Sequence, residues 1–163
     1  DILQHCITLI SPIANNHNIE IINDSKDDDY SVYLDKNYFT QVVLNILSNS
    51  IKYNEENGSV TISCHPTNET TIDINITDSG PGLTSQQIES LFTPFTRLPE
   101  HKHLQGTGIG LTICKELIEV MNGAIEISCM PGHGCTVTIT VQLTPQLSPQ
   151  QQDSLNTGRV IAT

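Results

Sequence analysis

The chain has 163 residues, 37% of them apolar, which is enough for one domain with a sizeable core. Seven basic and eighteen acidic residues give a formal net charge of −11. This balance argues against a nucleic-acid surface, because such a surface needs clustered Lys and Arg.

The first half of the chain predicts two helices separated by two short strands. Residues 1–16 have apolar side chains at helical spacing, and residues 36–53 show the same periodicity more strongly. Between them, residues 19–22 predict one short strand, and Val32 and Leu34 predict another. The chain begins inside the first helical pattern and without Met, so we expect it to be a piece of a longer protein.

The second half alternates strand hairpins with helices. The pattern first predicts a hairpin over 60–62 and 72–76, then a short helix that is capped by Thr84 or Ser85 and ends at Leu91. An aperiodic loop follows over 97–107. The last predicted elements are a helix over 108–121 and a hairpin over 125–127 and 137–141. This order predicts an α+β two-layer sandwich. We expect a mixed, mostly antiparallel sheet of about five strands with three main helices on one face.

Residues 144–163 differ in character from the rest. They contain Pro145, Pro149 and four Gln, with little apolar content before Val160 and Ile161. We therefore predict one domain over residues 1–143 and a linker or tail over 144–163, which could lead into a fused receiver domain. No apolar run approaches the ~18 residues of a membrane span, and no signal peptide is visible.

The chain has five cysteines, which are Cys6, Cys64, Cys114, Cys129 and Cys135. Because the number is odd and no pair has C-x-x-C spacing, we predict that all five are free thiols in a reducing compartment. Cys129, His133 and Cys135 lie close enough to suggest a metal site, but this segment fits a hairpin turn better. The three aspartates at 27–29 likewise fit a solvated loop better than a metal site.

A polar stripe on the long central helix is the first candidate for chemistry. Asn45, Asn49, Lys52 and Tyr53 follow one another at helical spacing, beside the apolar face. Amide oxygens suit a hard cation such as Mg²⁺, and a Lys suits phosphate. Taken alone, the spacing is more typical of an ordinary exposed polar stripe.

Two glycine-containing segments are the other candidates. Residues 78–82, Asp-Ser-Gly-Pro-Gly, place a carboxylate at a strand end beside glycines that allow close backbone approach; plain turns share this pattern. Residues 105–111 carry three alternating glycines at the start of a helix, where free N–H groups can receive phosphates. The alternative for this second segment is a flexible hinge. It matches neither a Walker A loop nor the dinucleotide fingerprint.

Together, in this order and spacing, the motifs resemble the ATP-binding catalytic domain of sensor histidine kinases. That domain has the Bergerat fold of the GHKL superfamily, which gyrase, Hsp90 and MutL-type ATPases share. Residues 44–53 resemble the family's N box, 78–82 its first glycine box, 91–97 its F box and 106–111 its second glycine box. The resemblance covers nearly all of residues 1–143.

The resemblance implies ATP and Mg²⁺ as ligands and assigns roles around the phosphates. Asn49 is expected to coordinate Mg²⁺, with Asn45 beside it on the metal or phosphates. Lys52 and Tyr53 are expected to face the phosphates or ribose, and Arg97 to reach the terminal phosphate. Lys52 and Arg97 are the implied catalytic residues.

Around the base, the resemblance implies that Asp78 accepts a hydrogen bond from the adenine amino group, with Gly82 allowing close approach. Residues 98–105 are expected to form an ATP lid, and Leu111 and Thr136 to lie near the base. The full set implied to bind ATP is Asn45, Asn49, Lys52, Tyr53, Asp78, Gly80, Gly82, Phe95, Arg97, Gly106, Thr107, Gly108, Ile109, Gly110, Leu111 and Thr136.

Asn45 stands where the related ATPases carry a Glu that acts as general base for water. An amide takes no proton at neutral pH, so transfer to another acceptor is favoured over hydrolysis. No histidine of this chain has the family's acceptor setting, so the resemblance implies an upstream dimerisation domain that carries the phosphoacceptor histidine. The alternatives are a nucleotide-binding regulatory module without transfer and a GHKL-type serine kinase.

The resemblance also implies a place in two-component signalling. It implies a response-regulator receiver domain as partner and no nucleic acid. The full-length protein is expected to be a homodimer, whereas the isolated domain is expected to be a monomer. The expected location is cytoplasmic, as a domain of a membrane-anchored sensor.

Overall fold

A computed structural model describes residues 2–25, 30–91, 93 and 109–144. The helices are α1 (Ile2–Asn16), α2 (Lys36–Lys52), α3 (Ser85–Leu91) and α4 (Gly110–Val120); the strands are β1 (Glu20–Asn23), β2 (Ser59–Pro66), β3 (Thr71–Asp78), β4 (Ala124–Cys129) and β5 (Cys135–Gln142). Within these residues, no helix has the length and apolar character needed to cross a membrane.

The five strands form one sheet in the order β1-β2-β3-β5-β4. β1 pairs with β2 in parallel, and the other three pairings are antiparallel. The predicted α+β fold with a mixed, mostly antiparallel sheet is therefore confirmed. One element of the prediction is wrong: Val32 and Leu34 form no strand, and Val32 instead makes a single bridge to Leu143. The last strand in sequence, β5, lies inside the sheet beside β3.

The two faces of the sheet differ in chemistry. Alternate positions on β2, β3 and β5 are aliphatic and buried; they are Val60, Ile62, Ile72, Ile74, Ile76, Val137, Ile139 and Val141. The opposite face carries polar side chains that pair across strands. Thr140 Oγ1 donates to Asp73 Oδ1 at 2.6 Å, and Thr138 Oγ1 donates to Asn75 Oδ1 at 2.8 Å. The period of two thus places the helices over the aliphatic face and leaves the other face polar.

Helix α2 is the centre of the core. It packs against α1, α4, β2 and β3. Its N-terminus is capped by Asp35, whose carboxylate accepts hydrogen bonds from the N–H groups of Asn37 at 2.8 Å and Tyr38 at 3.0 Å. The cap fixes where the helix starts, and the buried side chains along one side fix its rotation; they are Phe39, Val42, Val43, Ile46, Leu47, Ser50 and Ile51.

The ends of the two later helices follow their sequence signals. At α3, Thr84 Oγ1 accepts from Gln87 N at 3.3 Å, and Gln87 Oε1 accepts from Thr84 N at 2.8 Å. This reciprocal pair makes Thr84 the cap. After α4, Asn122 and not Gly123 makes the left-handed turn that ends the helix, with φ 56°.

The prediction that all five cysteines are free is wrong for two of them. Cys129 and Cys135 are direct partners across the β4–β5 hairpin, with Cα atoms 4.1 Å apart, and they form a disulfide. Cys6, Cys64 and Cys114 are free. Cys129 and Cys135 are six residues apart in sequence, a spacing that matches no known cysteine motif. They meet only because the register of the hairpin places them opposite each other. The inference of a reducing compartment therefore loses the support of these two residues.

The turn of the β4–β5 hairpin packs directly against the end of β3. Gly134 has φ 81°, and a Cβ atom there would overlap the backbone carbonyl oxygen of Asp78. Gly82 has φ 69°, and a Cβ atom there would overlap the carbonyl oxygen of Met130. Both glycines are thus required by backbone contact, independently of any ligand. Gly132 has a similar φ of 79° but faces open space.

These glycines separate conformational strain from steric overlap. We expect Gly132→Ala to lower the free energy of unfolding by about 1 kcal/mol, the cost of a left-handed backbone at a residue with a Cβ. We expect Gly134→Ala to lower it by at least about 3 kcal/mol, because overlap with the Asp78 backbone adds to that cost. Urea midpoints of the two variants give the measurement. Equal losses would show that the hairpin does not press on β3.

Candidate functional site

The polar stripe on α2 lies at the edge of its buried face. Asn45, Asn49 and Lys52 are each partly buried, whereas Val42 and Ile46 beside them are fully buried. An ordinary exposed stripe would face solvent away from the core. Partial burial of two amides and an ammonium group beside apolar side chains instead leaves polar groups at the margin of the core, where a polar ligand can pair with them.

The start of α4 covers Asn45. Asn45 Nδ2 donates to Cys114 Sγ at 3.0 Å. A Cβ atom at Gly110 would lie 2.8 Å from Asn45 Nδ2 and 2.9 Å from its Oδ1, so only glycine leaves the amide in place. The first helical residue of the second glycine segment is therefore brought into contact with the first asparagine of the α2 stripe.

The two amide oxygens of the stripe fit a divalent cation. In the described residues, the Asn49 amide has no hydrogen-bond partner, and none of the donors there reaches Asn45 Oδ1. Partly buried amide oxygens without partners are suited to a hard cation such as Mg²⁺. The sequence-predicted metal ligands thus fit the metal. Among the described residues, no group of three or more His, Cys, Asp or Glu could hold one, and this includes the Cys129, His133 and Cys135 segment.

Lys52 and Tyr53 lie together where α2 ends. Lys52 Nζ donates to Tyr53 Oη at 3.2 Å and lies 4.8 Å from the centroid of the Tyr53 ring. The contact holds the ammonium group close to the C-terminus of α2. Of the three lysines in the described residues, Lys115 pairs with Glu119 and Lys36 begins α2, so Lys52 is the one that follows the two asparagines at the end of the stripe.

Asp78 ends β3 on the same face as the buried isoleucines. Its Oδ1 accepts from the backbone N–H of Gly80 at 2.9 Å and from that of Cys135 at 3.3 Å. Oδ2 accepts no hydrogen bond from the described part of the chain. Burial raises the pKa of the Asp78 carboxyl, and the two backbone hydrogen bonds offset part of that rise. One oxygen is thus fixed by the fold and the other is available to a ligand.

A small hydrogen-bond network joins this loop to the end of α2. Ser79 Oγ donates to Asn54 Oδ1 at 3.2 Å and accepts from Ser59 N at 2.8 Å, while Asn54 Nδ2 donates to Ser59 O at 3.0 Å. Gly80 completes the contact, because a Cβ atom there would lie 3.1 Å from the carbonyl oxygen of Tyr53. The network brings the stripe and the Asp78 loop to one end of the sheet.

Thr136 does not lie beside Asp78, which corrects the sequence prediction. Its hydroxyl is 3.0 Å from that of Thr77, directly opposite on β3, and both point to the polar face of the sheet. The neighbouring residue Cys135 pairs with Asp78 instead. The prediction failed because moving one residue along a strand moves the side chain to the other face.

The remaining sequence-predicted residues divide between two groups. Gly110 begins α4, with Ile109 before it and Leu111 after it, and all three are partly buried. Phe95, Arg97, Gly106, Thr107, Gly108 and the expected lid over 98–105 lie outside the described residues. Sequence reasoning missed Cys114, Asn54 and Ser79. The available signal for Cys114 was a thiol one turn after Gly110. Its partner, Asn45, lies on another helix, so the sequence did not connect the two.

Proteins of one family resemble this chain. Residues 34–145 match the family model described as histidine kinase-, DNA gyrase B-, and HSP90-like ATPase. The adaptive-response sensory kinase SasA of Parasynechococcus marenigrum (strain WH8102) is 32% identical over 127 residues, which cover 77% of this chain and 33% of that protein. The sensor histidine kinase WalK of Bacillus subtilis (strain 168) is 33% identical over 144 residues, covering 86% and 23%.

Among solved structures, the catalytic domain of histidine kinase ThkA superposes with a TM-score of 0.76 at 25% identity, covering 89% of this chain and 92% of that one. The structure of this chain therefore matches an excised catalytic domain over nearly the full length of both. By contrast, the chain spans about a third or less of the two curated relatives.

Asp78 generates a prediction on both stability and nucleotide choice. In Asp78→Asn the amide oxygen still accepts from Gly80 and Cys135, so an NH₂ group replaces Oδ2 and would oppose the adenine amino group that the family resemblance expects there. We expect ATP affinity to fall by at least about 100-fold, since a buried donor faces a donor. The ratio of GTP to ATP affinity should rise, because guanine offers a carbonyl there. Calorimetric titration with both nucleotides is the measurement.

The same variant should not be less stable at neutral pH. The raised pKa of Asp78 means that the folded state favours the protonated carboxyl, so its contribution to stability is present at low pH and is lost as pH rises through the folded pKa. The amide is neutral throughout. Melting curves should show Asp78→Asn at least as stable as wild type at pH 7, with the gap closing in acid. A gap that widens in acid would contradict this sign.

Gly110 generates a second prediction at the site. Gly110→Ala should leave the melting temperature unchanged or raise it, because Ala is the better helix former. It should weaken ATP binding in Mg²⁺ by at least about tenfold, because the new Cβ displaces the Asn45 amide. Glu116→Ala on the exposed side of α4 is the matched control and should bind as wild type. Unchanged binding by Gly110→Ala would show that the Asn45 amide tolerates displacement.

Proposed function

Because the chain belongs to the family of histidine kinase-, DNA gyrase B- and HSP90-like ATPases, we propose that it binds MgATP and donates the terminal phosphate to a histidine on a separate domain. The acceptor domain is the upstream dimerisation domain of the same protein. The observation that carries this proposal is the Asn45 amide, which is partly buried between Gly110 and Cys114. It offers an oxygen to the metal that accompanies the phosphates, and it has no capacity to act as a base.

The base is selected by Asp78. Its Oδ1 is held by two backbone N–H groups, so the orientation of the carboxylate is fixed before any nucleotide binds. Oδ2 then accepts from an exocyclic amino group, which adenine has and guanine lacks at the corresponding ring position. Such a preset acceptor discriminates well, because a mismatched base leaves the carboxylate unpaired in a partly buried site.

The phosphates are held by the other end of the site. Asn49 and Asn45 supply the amide oxygens that suit Mg²⁺, which when bound neutralises negative charge on the phosphates. Lys52 adds the cation of the described site, and Arg97 is proposed to reach the terminal phosphate. A chain of net charge −11 has few cations to spare. The local positive charge therefore depends on these two side chains and the metal.

Transfer to histidine agrees with the lack of a proton acceptor at Asn45. A neutral imidazole attacks the terminal phosphorus with a nitrogen lone pair, and the bond from that phosphorus to the bridging oxygen breaks as ADP leaves. This nucleophile does not need to lose a proton before it attacks. Water and a serine hydroxyl do, and they need a base nearby. The site is thus better suited to histidine than to either of those acceptors.

The whole protein is proposed to work in two-component signalling. SasA and WalK carry the names of sensory kinases, and this chain matches 33% of the first and 23% of the second. The proposed partners are the acceptor domain and, after phosphorylation, the receiver domain of a response regulator. A homodimeric full-length protein anchored in the membrane, with this domain in the cytoplasm, completes the proposal.

Transfer in trans tests it. The chain is incubated with Mg²⁺ and γ-labelled ATP, alone and with the acceptor hairpin of its parent protein. We expect acid-labile label on the hairpin, none on the chain, and none on a hairpin whose acceptor His is replaced by Gln. Asn49→Ala should reduce the label at least about tenfold.

Three results would contradict the proposal in distinct ways. Release of free phosphate without acceptor indicates an ATPase. Acid-stable label on a serine indicates a serine kinase. ATP binding without transfer to the matching hairpin indicates a regulatory module.

A further inference from the structure

The thiol of Cys114 contacts two groups of α2 at once. Asn45 Nδ2 donates to its sulfur at 3.0 Å, and the sulfur lies 3.8 Å from the carbonyl oxygen of Val42, to which its S–H donates. Cys114 is 1% exposed and Val42 is fully buried, so water does not compete for these contacts. The thiol therefore bridges one turn of α2 from the facing side of α4.

These two contacts determine which end of the Asn45 amide faces the thiol. A thiol has one proton, and here that proton is directed to the Val42 carbonyl. The sulfur then presents only lone pairs to Asn45, and only the NH₂ end of the amide can pair with them. A reversed amide would set its oxygen against the sulfur lone pairs. The buried NH₂ contact thus directs Oδ1 away from the thiol.

Gly110 lies one turn before Cys114 on the same side of α4. A Cβ atom at Gly110 would come within 3 Å of both the nitrogen and the oxygen of the Asn45 amide. The absence of a Cβ at Gly110 therefore leaves room for this amide group. The glycine provides the space and the thiol provides the polarity. Neither alone fixes the orientation of Asn45.

We propose that Cys114 is a positioning residue for phosphotransfer, whose sulfur holds the Asn45 amide with Oδ1 presented to the metal. This rests on the proposed function, which places MgATP at Asn45 and Asn49. The orientation matters because a cation is bound by the amide oxygen and repelled by the NH₂ group. Cys114 itself touches neither the nucleotide nor the metal.

The competing explanation is that Cys114 is only a small apolar residue of the core. Val and Ser separate the two roles. Cys114→Val keeps an apolar side chain of similar size but has no lone pair for Asn45. Cys114→Ser keeps both an acceptor and a donor while losing apolar volume. A packing role predicts that Val is the better substitute, and a positioning role predicts that Ser is.

The experiment compares ATP dissociation constants in Mg²⁺ and in EDTA for the wild-type chain, both variants and the control Cys64→Val, a partly buried thiol on β2. In Mg²⁺ we expect Cys114→Val to lose about tenfold in affinity, as for one hydrogen bond, and Cys114→Ser to stay within about threefold of wild type. In EDTA all four should bind alike. Melting curves confirm that each is folded.

A double-mutant cycle with Asn45→Ala gives a second, independent test. If Cys114 acts through Asn45, then Cys114→Val, or Cys114→Ala if the valine variant fails to fold, causes no further loss of affinity in Mg²⁺ once Asn45 is Ala.

The inference is overturned if Cys114→Val retains wild-type affinity in Mg²⁺, or if it loses affinity equally in EDTA. It is also overturned if the loss persists in the Asn45→Ala background. A wild-type chain that binds no ATP, or binds it equally with and without Mg²⁺, identifies a failure of the proposed function instead.

Discussion

Helix α2 must bury one side in the core while keeping two amides and an ammonium group at the margin of that side, and the rest of the site depends on this constraint. Because Val42, Val43, Ile46 and Leu47 fix the rotation of the helix, Asn45 and Asn49 have no freedom to turn toward solvent. The apolar contacts that stabilise the fold therefore also set the positions of the polar groups. Packing and function are carried by the same helix at adjacent positions.

Two other parts of the site, the start of α4 and the Asp78 loop, are held to α2 by short-range contacts. On one side α4 meets it at Gly110 and Cys114; on the other, the Asp78 loop meets its C-terminus through Asn54 and Ser79. These contacts are polar or involve glycine, and they lie where an added methyl group has no room. In the described residues, the Asn45 amide and one oxygen of the Asp78 carboxylate are thus held by protein contacts before any ligand is present, which reduces the ordering that binding would require.

Local pattern was enough to predict the helices, the two hairpins and the sheet type, because apolar periodicity and turn residues act within a few positions. It also made Asn45, Asp78 and Gly110 candidates, but the roles predicted for them came from the family resemblance. It failed where the outcome depended on register or on a distant partner. Thr136 was expected near the base although its side chain points to the polar face, Cys129 and Cys135 were expected to be free, and Val32 was expected in a strand. Cys114 was missed because its meaning depends on a helix about 70 residues earlier in the chain.

The position of β5 has a consequence for the order in which the protein can mature. Asp78 is held by the backbone of Cys135, 57 residues later, and β5 is the last strand of the sheet although it lies between β3 and β4. On a ribosome adding about 5–20 residues per second, the carboxylate cannot be fixed until that strand has emerged and inserted. Any ligand that depends on a fixed Asp78 carboxylate therefore binds the finished sheet and does not guide its assembly.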